Sequence, residues 1–175
     1  MLKNINKNIK ILYVEDDEVA RENGIEYLQN FFAQIYEASD AIKALQLYEK
    51  YQPDIIITDI QMPKLNGLEF VKRIRQKDKK TKIIIITAFC EKDYLLKAIE
   101  LGLVKYLVKP VREKEFEEAL FLCVNSLQED SSNIVKLDVD SYFDTFNKNL
   151  VIKNEIIKLR TKELIFLELL IKNKN

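Results

Sequence analysis

Five polar residues stand where this chain could do chemistry: Asp16, Asp17, Asp59, Thr87 and Lys109. Each follows or closes a short apolar run. Asp16 and Asp17 come after residues 9–14, Asp59 after 54–58, Thr87 at the end of 82–87, and Lys109 after 106–108. Carboxylates gathered in one cleft repel one another and gain from a divalent cation. An all-oxygen ligand set with room for water suits Mg²⁺. A carboxylate neutralised in this way, such as Asp59, can attack phosphorus and form an acyl phosphate. A lysine and a hydroxyl can hold the phosphoryl oxygens, and such positioning and charge stabilisation supply most of phosphoryl-transfer catalysis. Singly the residues have bland readings. Asp16 and Asp17 suit a helix cap, Asp59 a loop, Thr87 a strand and Lys109 a solvated turn before Pro110. Their conjunction carries the chemical reading.

The elements around them must bring these residues together across more than 90 positions of sequence. The spacing predicts strands at 9–14, 34–38, 54–58, 82–87 and 106–108. It predicts helices at 18–32, from 41 onward after an Asp40 cap, and at 65–77, 93–101 and 113–127. Continuous apolar strands alternating with amphipathic helices imply a parallel sheet covered on both faces. Right-handed crossovers make a doubly wound, five-stranded, flavodoxin-like α/β sheet the expected topology. In such a sheet the five polar residues all lie at C-terminal strand ends, the edge where ligands bind.

Composition narrows the function. The chain has 175 residues, 28 basic and 28 acidic, so no global field steers it to nucleic acid or to an acidic membrane. It has no His, which excludes His-based triads, His metal sites and phosphohistidine within the chain. Cys90 and Cys123 match no zinc or redox spacing and are expected to be reduced, buried thiols. No stretch approaches the roughly 20 apolar residues of a spanning helix, and the Lys- and Asn-rich N-terminus lacks a signal-peptide core. A cytoplasmic protein without membrane attachment is expected.

Glu15-Asp16-Asp17, Asp59 followed by Met62-Pro63 and Gly67, Thr87-Ala88 and Lys109-Pro110 together resemble the motif set of a two-component response regulator receiver domain, the CheY-like fold, over residues 9–127. That resemblance implies Asp59 as phosphoacceptor. It implies Mg²⁺ as cofactor, held by Asp16, Asp17, Asp59 and the backbone carbonyl of Gln61, with Lys109 and Thr87 on the phosphoryl group. It further implies a switch in which Thr87 moves toward the phosphate and Tyr106 swings inward behind it, with output surfaces around the fourth helix, fifth strand and fifth helix. The implied partner is a sensor histidine kinase. The chain is then not an enzyme beyond its own phosphorylation and dephosphorylation. A Mg²⁺-dependent phosphatase with an Asp nucleophile is the enzymatic alternative. It needs a second acid close by, and Gln61 occupies one obvious place for it. An FMN-binding flavodoxin is disfavoured by the acidic loop after strand 1.

The domain reading is a receiver at 1–128, a polar linker at 129–133 (EDSSN) and a different unit at 134–175. The last unit carries short β-like segments and a helix after Thr161. It resembles the start of an OmpR-type winged-helix output domain, without a recognition helix to enter a major groove. DNA is therefore expected as a partner only where that domain is complete. The full-length form is read as a transcriptional regulator, the alternative being a receiver that acts by protein contacts with the tail as a dimerisation or docking element. A homodimer is a further expectation. Val104 and Lys105 replace the acidic pair common in OmpR-type receivers, and Ala119 stands near a commonly basic position.

Gln61, Ala88 and Phe89 are expected to flank access to the phosphoryl group. Ala88 is small enough to leave the way past Thr87 open, whereas an apolar Phe89 cannot orient an attacking water. Phe89→Ala should therefore accelerate loss of the phosphoryl group, followed by intact mass after donor removal. An unchanged half-life would count against this role.

Overall fold

The computed structural model describes residues 8–88, 92–132, 134–145, 148–153, 155–157 and 159–172. Two compact units are present, Met1–Asn125 and Ser126–Asn175.

Strand and helix alternate from Lys10 to Ser132: β1 (Lys10–Val14), α1 (Glu18–Gln29), β2 (Gln34–Ala38), α2 (Ala41–Tyr51), β3 (Ile55–Thr58), α3 (Gly67–Arg75), β4 (Lys82–Thr87), α4 (Lys92–Glu100), β5 (Lys105–Val108) and α5 (Glu113–Ser132), whose residues 126–132 fall in the second unit. The strands form one parallel sheet in the order β2-β1-β3-β4-β5, the expected doubly wound arrangement. Side-chain alternation along a strand explains why both faces need cover. Leu12, Val14, Ile56 and Ile83 share a core with Ala41, Ala44 and Tyr48 of α2 and with Phe70, Val71 and Ile74 of α3. The intervening Ile11, Ile55, Ile57 and Ile84 are equally buried, as are Leu28 of α1 and Ala119, Leu120, Cys123 and Val124 of α5. Tyr27 and Phe116 bring α1 and α5 together, with ring centroids 5.6 Å apart. Each fully buried Ile or Leu contributes roughly 1.5–3 kcal/mol relative to exposure, so the isoleucine strands dominate stability. Burial pushes the Cys123 thiol up to about 12, consistent with an inert packing residue.

Helix ends follow local chemistry. Asp17, Asp40 and Asn66 cap α1, α2 and α3 by accepting backbone N–H bonds. The third helix thus starts at Gly67, two residues later than the apolar spacing predicts, because Lys64 takes a left-handed φ of 71° and Asn66 is the cap. The polar stretch expected as a linker is helical over 129–132, since α5 continues to Ser132 with no Gly or Pro to stop it. Asn133 lies outside the described residues.

The second unit is an antiparallel meander, β6 (Ile134–Lys136), β7 (Ser141–Asp144), β8 (Asn149–Ile152) and β9 (Glu155–Ile157), followed by α6 (Thr161–Lys172). Phe143 and Val151 form its buried centre. Glu163 reaches back to accept the Arg160 N–H at 2.8 Å, half of a capping box, so Thr161 opens the helix rather than capping it. Lys148 and Glu168 form an ion pair. Ile165, Phe166, Leu169 and Leu170 of α6 are each more than half exposed. No helix among the described residues is long and apolar enough to cross a membrane.

At the N-terminal edge of the parallel sheet a polar clamp joins three loops. Arg75 donates to the carbonyls of Leu101 and Thr81, both at 2.8 Å, and of Asp78 at 3.2 Å. Asp78 accepts from Lys80 N, Thr81 N, the Tyr48 hydroxyl and the Thr81 hydroxyl. Burial alone would raise the Asp78 carboxyl, but the Thr81, Lys80 and Tyr48 hydrogen bonds outweigh it and hold its pKa below the ordinary 3.8. A carboxylate with a depressed folded pKa stabilises the fold above its unfolded pKa and loses that contribution as pH falls through the folded value. Wild-type stability should therefore fall more steeply than that of Asp78→Asn below pH 3.8, measured by urea unfolding at stepped pH. Equal slopes would remove Asp78 from the acid response.

Gly67 sets the loop after β3. A Cβ built there would lie 1.9 Å from the Asp59 carbonyl oxygen and 2.9 Å from its carbon, both backbone atoms that cannot step aside. Gly67→Ala should lose about 2–3 kcal/mol by overpacking, against a helix-propensity gain of at most about 1 kcal/mol. Urea denaturation reads the sign, and a stabilised variant would refute the close approach.

Candidate functional site

The sheet register builds the site. Val14 pairs with Thr58, Thr58 with Ile85, and Thr87 with Val108. The ladder runs one residue further at three places. Asp59 N donates to Val14 O at 3.1 Å, Glu15 N to Ala38 O at 3.1 Å, and Lys109 N to Thr87 O at 2.8 Å. Glu15, Asp59 and Lys109 are thus held by strand-like pairing at the C-terminal edge.

Their side chains meet there. The Lys109 ammonium donates to Asp59 Oδ2 at 2.7 Å and to Glu15 Oε2 at 2.8 Å. Asp59 Oδ1 accepts from Gln61 N at 3.0 Å, and the Thr58 hydroxyl donates to the Asp59 carbonyl at 2.9 Å. Glu15 is 3% exposed and Asp59 6%, whereas the Lys109 side chain is one-third exposed. Burial raises the Glu15 carboxyl above its ordinary 4.5, against the pull of the Lys109 hydrogen bond and charge. For Lys109 burial opposes the charge, but the hydrogen bonds with Asp59 and Glu15 prevail and raise its pKa well above that of an ordinary lysine. Lys109 is therefore a permanent cation in a carboxylate cluster. Tyr13 on β1 feels the same field. Burial first, then the Glu15 charge, pushes its hydroxyl up to about 12.

Thr87 is fully buried at the end of β4, on the same edge. Tyr106 is half-buried on β5 and packs with the Ile60, Leu68 and Ile85 cluster. Gln61 and Ala88 are exposed beside the edge. Phe89, like Cys90, lies outside the described residues.

The acidic loop divides its labour in a way sequence reasoning missed. Asp16 is exposed next to Glu15. Asp17 is also exposed, but its Oδ1 accepts the Ala20 N–H at 2.7 Å and so holds the start of α1. The carboxylate beside Asp59 is instead that of Glu15. The signal was available: Val14 and Thr58 both end their strands, and Glu15 and Asp59 are each the next residue. Among the described residues no three His, Cys, Asp or Glu side chains are grouped to hold a metal ion. The chemistry of the donor set nevertheless fits a hard dication. Glu15, Asp16 and Asp59 offer carboxylate oxygens, and Asp16 faces solvent and its waters. Lys109 alone leaves this cluster with excess negative charge.

Comparison with known proteins agrees with the geometry. Residues 11–121 match the family model of the response regulator receiver domain. An uncharacterized response regulatory protein of Staphylococcus epidermidis is 30% identical over 150 residues, covering 77% of this chain and 59% of that protein. The transcriptional regulatory protein BtsR of Salmonella typhi is 38% identical over 114 residues, covering 64% of this chain and 46% of the relative. The chain thus spans about half the length of these curated relatives, 59% of one and 46% of the other. Among crystal structures, the N-terminal domain of an uncharacterized protein from Wolinella succinogenes is 40% identical with a TM-score of 0.64, covering 71% of this chain and 98% of the other. A response regulator receiver domain protein from Clostridium thermocellum is 26% identical with a TM-score of 0.65, covering 69% and 98%. With its strand order, its Lys109-bridged carboxylates and a family match over most of the first unit, this chain belongs to the response regulator receiver domain family.

Proposed function

We propose that the first unit accepts a phosphoryl group on Asp59 and that this controls an output carried by the rest of the protein. The observation that carries the reading is the Lys109 ammonium, hydrogen-bonded at once to Asp59 and Glu15 at the C-terminal edge. A carboxylate oxygen of Asp59 attacks the phosphorus of a donor. The O–P bond to Asp59 forms as the bond to the leaving group breaks, and that group departs with the electron pair. Gln61 N and Lys109 fix the Asp59 carboxylate for in-line approach, and fixed geometry of this kind removes much of the entropic barrier. Lys109 stays charged throughout and offsets the negative charge of the incoming phosphoryl oxygens. The buried Thr87 hydroxyl and half-buried Tyr106 lie where a change at Asp59 reaches β4 and β5, which suits their role as a switch.

Mg²⁺ is the cofactor this donor set favours, supplying charge neutralisation between carboxylates and phosphoryl oxygens when bound. Glu15, Asp16, Asp59 and the Gln61 carbonyl would hold it, with Asp17 retained at the helix cap. A sensor histidine kinase is the proposed source of the phosphoryl group, in the cytoplasm. The chain's own chemistry ends with its own phosphorylation and dephosphorylation.

The second unit is proposed as part of the output region. BtsR is named a transcriptional regulatory protein, and an antiparallel sheet followed by a helix suits the entry to a winged-helix domain. The apolar surface of α6 suits packing within a larger fold. DNA binding would belong to that larger fold.

Incubation with a small-molecule phosphodonor and Mg²⁺, read by intact mass, is expected to add one phosphoryl group to the wild type. The adduct should be absent from Asp59→Asn and from samples with excess chelator. A folded wild type that takes up no phosphoryl group, or an equally modified Asp59→Asn, would refute the reading.

A further inference from the structure

Arg21 lies on the first turn of α1, and its guanidinium is turned back onto the acidic loop that precedes the helix. Nη1 donates to the carbonyl of Glu15 at 3.0 Å and to that of Asp16 at 3.4 Å. Nε donates to Glu37 Oε2 on β2 at 3.3 Å. The Arg21 side chain is only 15% exposed, whereas that of Glu37 is 53% exposed. A largely desolvated guanidinium must find acceptors, and two of those it has found are main-chain groups of the loop.

Those two carbonyls have a particular status. Glu15 N is paired with Ala38 O, which extends the β1–β2 ladder, and the Asp17 carbonyl accepts Arg21 N as the first bond of α1. The carbonyls of Glu15 and Asp16 fall between strand and helix. Arg21 fixes both, and with them the two peptide planes that flank the Asp16 α-carbon. Asp17 is already held by its cap, and Glu15 by Lys109. The backbone under Asp16 therefore takes its orientation from Arg21, while the Asp16 side chain stays open to solvent. The guanidinium leaves the carboxylates of Glu15, Asp16 and Asp17 unoccupied, because its partners are the two carbonyls and Glu37.

We infer that Arg21, held by Glu37, is a positioning residue that presets the Asp16 carboxylate for a divalent cation. The inference rests on the cation reading proposed above. Partners behind a ligand set its orientation and typically change metal affinity by about 10–100-fold when removed.

The test uses the full chain and Mn²⁺ as probe, with free ion read by electron paramagnetic resonance. Arg21→Gln should bind Mn²⁺ about tenfold more weakly than wild type. Its phosphorylation deficit should shrink as the cation is raised, as expected for a lost binding preset rather than lost chemistry. Arg21→Lys, which keeps the charge but lacks separate Nη1 and Nε donors for the carbonyls and Glu37, should fall between the two. Glu37→Gln should weaken binding in the same direction by less, and it carries the test if Arg21→Gln does not fold. Unchanged Mn²⁺ affinity in folded variants, even with a lowered melting temperature, would reduce Arg21 to a structural residue and overturn the inference. A folded wild type that binds no Mn²⁺ would overturn it together with the cation reading. Binding by wild type with equal binding by the variants would sink Arg21 alone.

Discussion

Everything at the C-terminal edge of this sheet depends on one problem of charge. Two carboxylates, Glu15 and Asp59, are buried within reach of one ammonium, with Asp16 and Asp17 close behind. Buried like charges raise each other's proton affinity and favour neutralisation. Burial first, with the Asp59 and Asp16 charges adding to it, raises the Glu15 pKa, and, against burial, the hydrogen bonds from Lys109 to both carboxylates raise that of Lys109. The arrangement persists because Lys109 answers both carboxylates at once, yet it leaves a surplus of negative charge. A surface built this way has a standing affinity for cationic or charge-neutralising ligands, and its balance shifts whenever Asp59 changes its charge.

Such a cluster is tolerable only if the backbone beneath it cannot relax. Ladder bonds that outrun the strands fix Glu15, Asp59 and Lys109. Gly67 lets the start of α3 lie against the Asp59 carbonyl, where any side chain would collide with main chain. The Gln61 N–H then caps Asp59 Oδ1 from the same loop. Sequence and turn geometry are linked here: the glycine matters because of the main-chain carbonyl of Asp59, the residue whose carboxylate Lys109 holds.

Much of this was legible in the sequence. The apolar pattern matched β2 and β4 to the residue, and the alternation of strand and helix pointed to the doubly wound, flavodoxin-like sheet that is present. Asp59, Thr87 and Lys109 were readable because strand ends are readable. What escaped depends on side-chain direction. Asp16-Asp17 looked like the natural acidic pair, but Asp17 turns to Ala20 N, and register sends Glu15 to Lys109 instead. Arg21 escaped because its targets are carbonyls, which carry no sequence signature. The late start of α3 escaped because apolar spacing cannot reveal a left-handed Lys64. The helical course of 129–132 escaped because a short polar run such as EDSS reads as a linker whether or not a helix continues through it.

The opposite edge of the same sheet explains how the fold tolerates the frustrated one. There Arg75 and Asp78 are half-buried charges whose hydrogen bonds close a network with Tyr48, Thr81 and three loop carbonyls. Burial that would penalise Asp78 is outweighed, so its pKa falls where that of Glu15 rises. One edge therefore closes its charges in a full hydrogen-bond network, and the other gathers more carboxylates than its one ammonium neutralises. The clamp also anchors the chain just after α4 through the Leu101 carbonyl, leaving the far end of that helix, after Thr87, near the charged edge. A change of charge at Asp59 thus falls on an edge whose opposite side is held by closed hydrogen bonds.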